Sequence, residues 1–358
     1  MHEHTKRENN FGILRLLFAT LVIVSHSPEL IDGNRSREIL TQIFGTLSFG
    51  EVGVDGFFLI SGYLITKSFV QRQSTLAYLA KRVLRIVPGY LASFWICVLV
   101  VAPFVGAGNP GLERLGSQMQ QALLLLPPEV PGAFRSLHYP ALNGAMWTIA
   151  YEFRCYLATI ALGLLGLFKP RYRALLLILI SALLLLNAAQ TMVGAQVIGS
   201  RFIGDPVYIV RFGALYGVGM LFYLFRDRIR LTNAGALIAA GLLIPLFFNH
   251  YAAEAVFSIC GGYLIFWFAF QAPVLRLSHI VNRADISYGL YLYAWPLQNL
   301  IIWSNKSLNP WLLCCLTLTG AGLLAYASWI LVEKPSLRFA PGQSAALPSL
   351  GGTAQEIK

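Results

Sequence analysis

The most constraining feature of the sequence is a series of ten apolar runs, each close to the roughly 20 residues that a helix needs to cross a membrane. Hydrophobic residues make up 56% of the chain and charged residues only 12%, about half the charged fraction of a typical soluble domain. We therefore predict an all-α, polytopic membrane helix bundle of about ten transmembrane helices. The predicted spans are residues 11–27, 47–68, 87–107, 147–168, 174–190, 206–225, 231–249, 252–271, 286–304 and 311–332.

The distribution of Lys and Arg predicts how these spans are oriented. If the N-terminus is cytoplasmic, the inside segments carry 18 of the 27 basic residues, the outside segments 6 and the spans themselves 3. Cytoplasmic loops of membrane proteins carry such an excess of positive charge. We therefore predict that both termini are cytoplasmic. We attribute the net charge of +11 to basic residues that set the membrane topology. Nucleic acid is not expected as a partner, because no basic face with interleaved aromatic residues is present.

The chain is predicted to form one membrane domain, residues 1–338, followed by a disordered cytoplasmic tail, residues 339–358. Residues 112–126 are apolar but too short to span, and we expect a re-entrant or interfacial segment there. No cleavable signal peptide is expected, because the first apolar run contains Arg15 and no small-residue cleavage site follows it. The five cysteines lie in apolar runs without CxxC spacing, so neither a disulfide framework nor a metal site is predicted.

Ionisable residues inside predicted spans are the first candidates for function, because a charge in the bilayer is costly. Arg15 and His26 share the first span and are eleven residues apart, about three helical turns and ~16 Å of rise. They should therefore point to one side of the helix and line a shared interior cavity. The alternative is a snorkelling arginine and an unrelated interfacial histidine. Asp55, Glu152 and Arg211 also stand out in the predicted spans, and Arg154 lies near them in the sequence.

Two arginines, Arg82 and Arg85, lie at the cytoplasmic end of the third predicted span. Their i, i+3 spacing places both on one helix face, and guanidinium groups offer a planar fork of donors that suits phosphate. The alternative interpretation is charge that sets the topology or contacts lipid headgroups.

The ninth predicted span begins with an aromatic-rich segment that runs from Ile286 to Pro296. Its aromatic residues could form an interfacial belt. However, the segment starts at the predicted cytoplasmic end, and Pro296 lies where a kink could open a cavity.

Together these segments resemble the family-three membrane acyltransferases, which include bacterial O-antigen, exopolysaccharide and Nod-factor acyltransferases. Each match alone is weak evidence. Six matches that occur in the same order as in the family, over about residues 11–338, indicate this family specifically. The matching residues are Arg15 and His26 with ten residues between them, Val54–Phe58 with Ile60–Tyr63, Arg82 and Arg85 followed by Pro88, Trp147–Thr148 with Glu152, Ser287–Tyr293 with Pro296, and Glu333–Pro335.

The resemblance implies an enzyme of the bacterial cytoplasmic membrane that takes an acyl group, most often acetyl, from cytoplasmic acyl-CoA. It further implies an acceptor hydroxyl on a carbohydrate that is lipid-linked, part of a polysaccharide or lipopolysaccharide, or otherwise presented outside. No metal is expected, and the partners would be membrane lipids and either no protein or a separate extracytoplasmic one. The donor site is assigned to Lys81, Arg82, Arg85, Tyr288 and Tyr291, and the catalytic site to His26, Glu152, Asp55 and Arg15.

In the expected mechanism, His26 takes the proton of the acceptor hydroxyl, and Glu152 or Asp55 orients the imidazole. Arg15 would hold that carboxylate or line the donor path. A covalent acyl-histidine is the second route. A different class of protein, a transporter or flippase of a lipid-linked sugar, would also use intramembrane charge, but such proteins commonly show inverted repeats and none is visible here. A purely structural or sensory membrane protein would leave Arg15, Asp55 and Glu152 without a role.

Overall fold

The computed structural model describes residues 9–72, 74–107, 112–193, 204–273 and 284–341, together with residues 278 and 281. The regular elements of this part of the chain are all helical, which confirms the predicted all-α class for it. A helix satisfies its own backbone hydrogen bonds, as a segment surrounded by lipid must. Most of the tail predicted to be disordered, from residue 342 onward, lies outside the described residues.

We number the helices in chain order. They are α1 (Phe11–Asp32), α2 (Ile39–Phe44), α3 (Phe49–Val70), α4 (Thr75–Phe104), α5 (Leu112–Leu123), α6 (Ile149–Leu164), α7 (Arg173–Val193), α8 (Pro206–Leu224), α9 (Asn233–Leu246), α10 (Ala253–Phe270), α11 (Ser287–Ser304) and α12 (Pro310–Leu337). Three of them, α4, α10 and α12, each contain a short π-helical turn, and a 3-10 turn (Gly144–Thr148) leads into α6.

Seven helices of the described residues are long and apolar enough to cross a membrane: α1, α3, α4, the segment Pro170–Gln190, α8, α10 and α12. The chain is thus a multi-pass membrane protein. The other predicted spans, 147–168, 231–249 and 286–304, correspond to α6, α9 and α11. The first two are short, with 16 and 14 residues, and α11 carries Ser, Tyr, Gln and Asn side chains. The total of ten transmembrane helices therefore stays a prediction. The segment predicted to be re-entrant or interfacial, 112–126, contains α5.

The first helix is longer than its predicted span, which ended at residue 27. It continues through Pro28 and ends at Asp32, where Gly33 adopts a left-handed conformation with φ 71°. A proline lacks the backbone N–H and removes one intrahelical hydrogen bond, which is tolerated here near the helix end. The extension matters because it places Glu29 on the same helix as His26, one turn further on.

The centre of the fold is α3, which packs against α1 on one side and α8 on the other. Gly62 of α3 and Gly219 of α8 lie at the closest approach. A Cβ atom on Gly62 would overlap the backbone carbonyl of Tyr216, and one on Gly219 would overlap the carbonyl of Leu59. Small residues allow helix backbones in membranes to come this close, and van der Waals contact then holds the pair.

Replacement of Gly62 with alanine is expected to destabilise the protein by about 1–3 kcal/mol or more, because the backbones of α3 and α8 must move apart. Gly241 is a matched control, since it lies in the exposed middle of α9 with nothing within 4 Å of a new Cβ atom. Gly241→Ala should be neutral or stabilise by about 0.5–1 kcal/mol. Thermal unfolding of both variants in detergent tests this, and equal midpoints would contradict the close α3–α8 contact.

Candidate active site

A cavity of about 140 Å³ lies between α1, α3, α4, α6 and α11. Most of its wall is apolar, but three arginines from two helices, Arg15, Arg82 and Arg85, line it. We call it the arginine cavity. Its other polar lining residues are Ser61, Thr148, Glu152, Tyr156, Ser287, Tyr288 and Tyr291.

Two of these arginines share one carboxylate, Asp285, which precedes α11. Arg15 Nη2 lies 3.0 Å and Arg85 Nη2 2.6 Å from the same Asp285 oxygen. Burial raises the pKa of Asp285, but the two guanidinium charges and a hydrogen bond from Ser287 outweigh it and lower this pKa to about 2. Asp285 is therefore ionised, and it fixes both arginines at one end of the cavity.

Arg82 differs from the other two arginines. Within the described part of the chain it forms no ion pair, and its buried Nε, like that of Arg15, has no hydrogen-bond partner. Buried donors of this kind are normally satisfied, so both nitrogens are available to an anion that enters the cavity. Lys81 is half-buried beside Arg82 but does not line the cavity.

Glu152 of α6 also faces the arginine cavity. Its Oε1 atom accepts hydrogen bonds from Tyr156 at 2.6 Å and from Ser61 at 3.1 Å. Tyr288 donates to the backbone carbonyl of Ile86 at 2.9 Å. Its hydroxyl thus holds α11 against α4.

A second, smaller cavity of about 80 Å³ lies towards the other end of α1 and contains His26, so we call it the histidine cavity. Its other polar and aromatic lining residues are Arg35, Ser48, Glu51, Trp147, Arg211, Phe212 and Tyr291. Ser48 and Glu51 form a capping box at the start of α3, in which each side chain bonds to the other's backbone N–H. This Ser-x-x-Glu spacing fixes the Glu51 carboxylate at the cavity edge.

His26 is held on two sides. Its Nδ1 atom lies 3.0 Å from Glu29 Oε2, one helical turn away, and Trp295 of α11 makes an edge contact with the ring at 4.9 Å between centroids. Arg35 donates to the other Glu29 oxygen at 3.0 Å. If Nδ1–H donates to the carboxylate, Nε2 is left as the proton acceptor of the imidazole.

Neither carboxylate that the sequence suggested as the orienting partner of His26 has this role in the structure. Asp55 is fully buried and binds Arg211, with both oxygens 3.1 Å from Nη2, while Glu152 faces the arginine cavity. Arg211 also lies 3.3 Å from Glu254 and 3.9 Å from Glu51. The partner of His26 is Glu29, because an i, i+3 neighbour on one helix needs no tertiary contact to reach it.

The prediction that Arg15 and His26 line one shared cavity is also wrong. Arg15 lines the arginine cavity and His26 the histidine cavity. Both side chains face the interior of the helix bundle, but eleven residues of α1, a rise of ~16 Å, lie between them, and each lines a different cavity. The structure thus divides the site into two chambers along α1.

Sequence reasoning missed several charged residues of the site. Three of them lie outside or at the edge of the predicted spans, where charged residues are common and do not indicate function: Asp285, Arg35 and Glu254. Glu29 had a readable signal, its i, i+3 spacing from His26. Trp295 lies in the aromatic-rich segment, although nothing there predicted its contact with His26.

Comparison with known proteins gives the family of the chain. The sequence model of a family described as an acyltransferase domain matches residues 8–330. The chain therefore belongs to this acyltransferase family, and the resemblance drawn from its motifs is confirmed.

Two relatives cover almost the whole chain. An O-acetyl transferase of Shigella phage Sf6 is 25% identical over 337 residues, which are 92% of this chain and 96% of the relative. Nodulation protein 10 of Rhizobium leguminosarum bv. viciae is 27% identical over 371 residues, 94% of this chain and 95% of that protein. No solved structure matches the chain. These findings support an acyltransferase of the multi-pass membrane type.

Proposed function

We propose that this protein is an acyl-CoA-dependent O-acyltransferase that moves a short acyl group, most often acetyl, onto a hydroxyl of a cell-surface or exported carbohydrate. The observation that carries the proposal is the hydrogen-bonded His26–Glu29 pair in a chamber next to an arginine-lined one. The O-acetyl transferase among the relatives supports transfer to oxygen.

The arginine cavity is the proposed donor site. The phosphates of acyl-CoA would bind Arg82 and the exposed parts of Arg15 and Arg85, with Lys81 near the entrance. Guanidinium groups bind phosphate with short, charge-assisted hydrogen bonds. The pantetheine arm would lie along Tyr288 and the apolar wall.

The histidine cavity is the proposed transfer site. Neutral His26 accepts the acceptor hydroxyl proton while that oxygen attacks the thioester carbonyl carbon. A C–O ester bond forms, the C–S bond breaks, and the proton passes to the sulfur of coenzyme A. Glu29 keeps the ring in the tautomer that leaves Nε2 free and stabilises the imidazolium during the step.

The proposed orientation follows from the charge bias. Both termini and the Arg82 end of α4 would be cytoplasmic, and the His26 end of α1 would face the outside of the bacterial inner membrane, with about ten spans in total. Acyl-CoA would then bind from inside and the carbohydrate from outside.

The direct test of this function is release of free coenzyme A from acetyl-CoA by the purified protein, with and without oligosaccharides of glucose, galactose and N-acetylglucosamine. We expect release that depends on an oligosaccharide, with an acetyl ester on that sugar by mass spectrometry. Movement of sugar across proteoliposomes without thioester cleavage would instead identify a transporter.

Replacement of Arg82 with alanine is expected to weaken acetyl-CoA binding by about 1.5–3 kcal/mol while the fold is kept, because Arg82 has no ion pair to lose in the described part of the chain. Lysine should restore binding only in part, since it lacks the planar fork. Calorimetric titration with coenzyme A measures the effect. Arg135→Ala, at an exposed loop, is the control, and equal affinity in both alanine variants would remove Arg82 from the donor site.

A further inference from the structure

The two chambers are separated by a thin wall. Within the described residues, only Val54 of α3 and Tyr291 of α11 line both the arginine cavity and the histidine cavity. Behind them, Phe58 of the first cavity stacks on Phe212 of the second at 4.2 Å between ring centroids. Val54 and Tyr291 therefore lie at the boundary of the two chambers, where a group that moves from one chamber to the other would meet them.

Tyr291 is fixed in this position by its hydroxyl group. It donates to the backbone carbonyl of Ala145 at 2.6 Å, and the hydroxyl of Thr148 lies 2.7 Å away. The ring also contacts Phe57 at 6.1 Å between centroids. Both partners of the hydroxyl belong to the 3-10 turn before α6, so Tyr291 is held between that turn and Phe57, and its donor is already used.

The wall lies close to the reacting histidine. Trp295, which contacts the His26 ring, follows Tyr291 by four residues, about 6 Å along α11. The chamber beyond the wall has a volume of only about 80 Å³, and the acceptor hydroxyl must share it with the acyl group.

We propose that Val54 and Tyr291 form a barrier between the donor and acceptor chambers, and that the gap between them limits transfer to short acyl groups. This inference rests on the proposed function, because it assumes that the thioester reaches His26 from the arginine cavity. It assigns to Tyr291 a role in selecting the acyl group, in addition to the donor binding expected from the sequence.

The barrier itself can be tested without any acceptor. Ser61→Cys places a thiol in the arginine cavity and Ser48→Cys one in the histidine cavity, while Lys81→Cys marks the proposed cytoplasmic face. A small, membrane-impermeant anionic thiol reagent is added to one side of oriented proteoliposomes. Labelling is measured in excess of the parent chain, which has five cysteines of its own.

We expect the Ser61→Cys thiol to react only from the side that labels Lys81→Cys, and the Ser48→Cys thiol only from the other side. Adding Val54→Ala or Tyr291→Ala should make the Ser61→Cys thiol reactive from both sides. Val52→Ala is the matched control, since Val52 is on the same helix and lines neither cavity. Reaction of the Ser61→Cys thiol from both sides before the wall is altered would overturn the barrier, as would unchanged labelling in both wall variants.

Acyl selection is tested in the coenzyme A release assay with acetyl-CoA and butyryl-CoA. Val54→Ala should raise the butyryl-to-acetyl rate ratio about tenfold, the scale of discrimination that a methylene-sized change in a pocket gives. The Val52→Ala ratio should equal that of the unaltered protein. An unchanged ratio in Val54→Ala would overturn the selection of acyl length. Loss of the proposed function would appear differently, as absent thioester cleavage with the barrier still intact.

Discussion

Replacement of His26 with alanine is expected to lower acyl transfer by about 10²–10⁴-fold, while membrane insertion and acetyl-CoA binding are kept. His26 lies in the histidine cavity and does not line the arginine cavity with Arg15, Arg82 and Arg85, so it should act on the acceptor and the thioester and not on the nucleotide. Coenzyme A release and calorimetric titration of the same preparation separate these effects.

The control for this variant is His250→Ala. His250 is exposed beyond the end of α9 and belongs to neither cavity, so its loss should leave both measurements unchanged. Single-turnover reactions without acceptor then distinguish the two routes. A general base leaves no acyl-enzyme, whereas a nucleophile leaves a labelled His26. Near-normal transfer by His26→Ala would remove it from the mechanism.

Replacement of Glu29 with glutamine is expected to lower kcat by about 10²–10⁴-fold, with the KM for acetyl-CoA unchanged, because Glu29 contacts the His26 ring and does not line the arginine cavity. A glutamine keeps the size of the side chain but loses the charge that stabilises the imidazolium. Glu29→Asp should recover part of kcat, since the carboxylate remains at a slightly longer reach.

A purely structural role for Glu29 would give a different result, because a distorted chamber would change KM and thermal stability together and aspartate would not rescue it. Glu129→Gln, at an exposed loop carboxylate, is the control and should leave kcat unchanged. Full activity of Glu29→Gln would show that the contact with His26 is not used in the reaction.

The sequence allowed the membrane class, most helix positions and the arginine and histidine motifs to be predicted, because apolar run length and intramembrane charge are local signals. The ion pairs of Arg15, Arg85 and Arg211 were not local. Asp285 reaches Arg15 across 270 positions of sequence, and Asp55 reaches Arg211 across 156. No spacing rule connects residues so far apart, so only the packed helices show which carboxylate meets which arginine.

Glu29 was missed for a different reason. The predicted first span ended at residue 27, before Pro28, so the prediction placed Glu29 outside the membrane. A carboxylate there is common and does not indicate a functional site. In the structure α1 continues to Asp32, so His26 and Glu29 share a helix face. The two cavities could not be predicted either, because the wall at Val54 and Tyr291 depends on how α3 and α11 pack around α1.

The measurement that tests the central claim most directly is acyl transfer across a membrane. Proteoliposomes in which the Arg82 end of the protein faces inward are loaded with isotope-labelled acetyl-CoA, and the oligosaccharide panel is added outside. We predict labelled acetyl esters on the external sugar, formed about 10²–10⁴-fold more slowly when the protein carries His26→Ala. Equal product from the His26→Ala protein, or labelled acetyl-CoA left intact while sugar crosses the membrane, would contradict the proposed function.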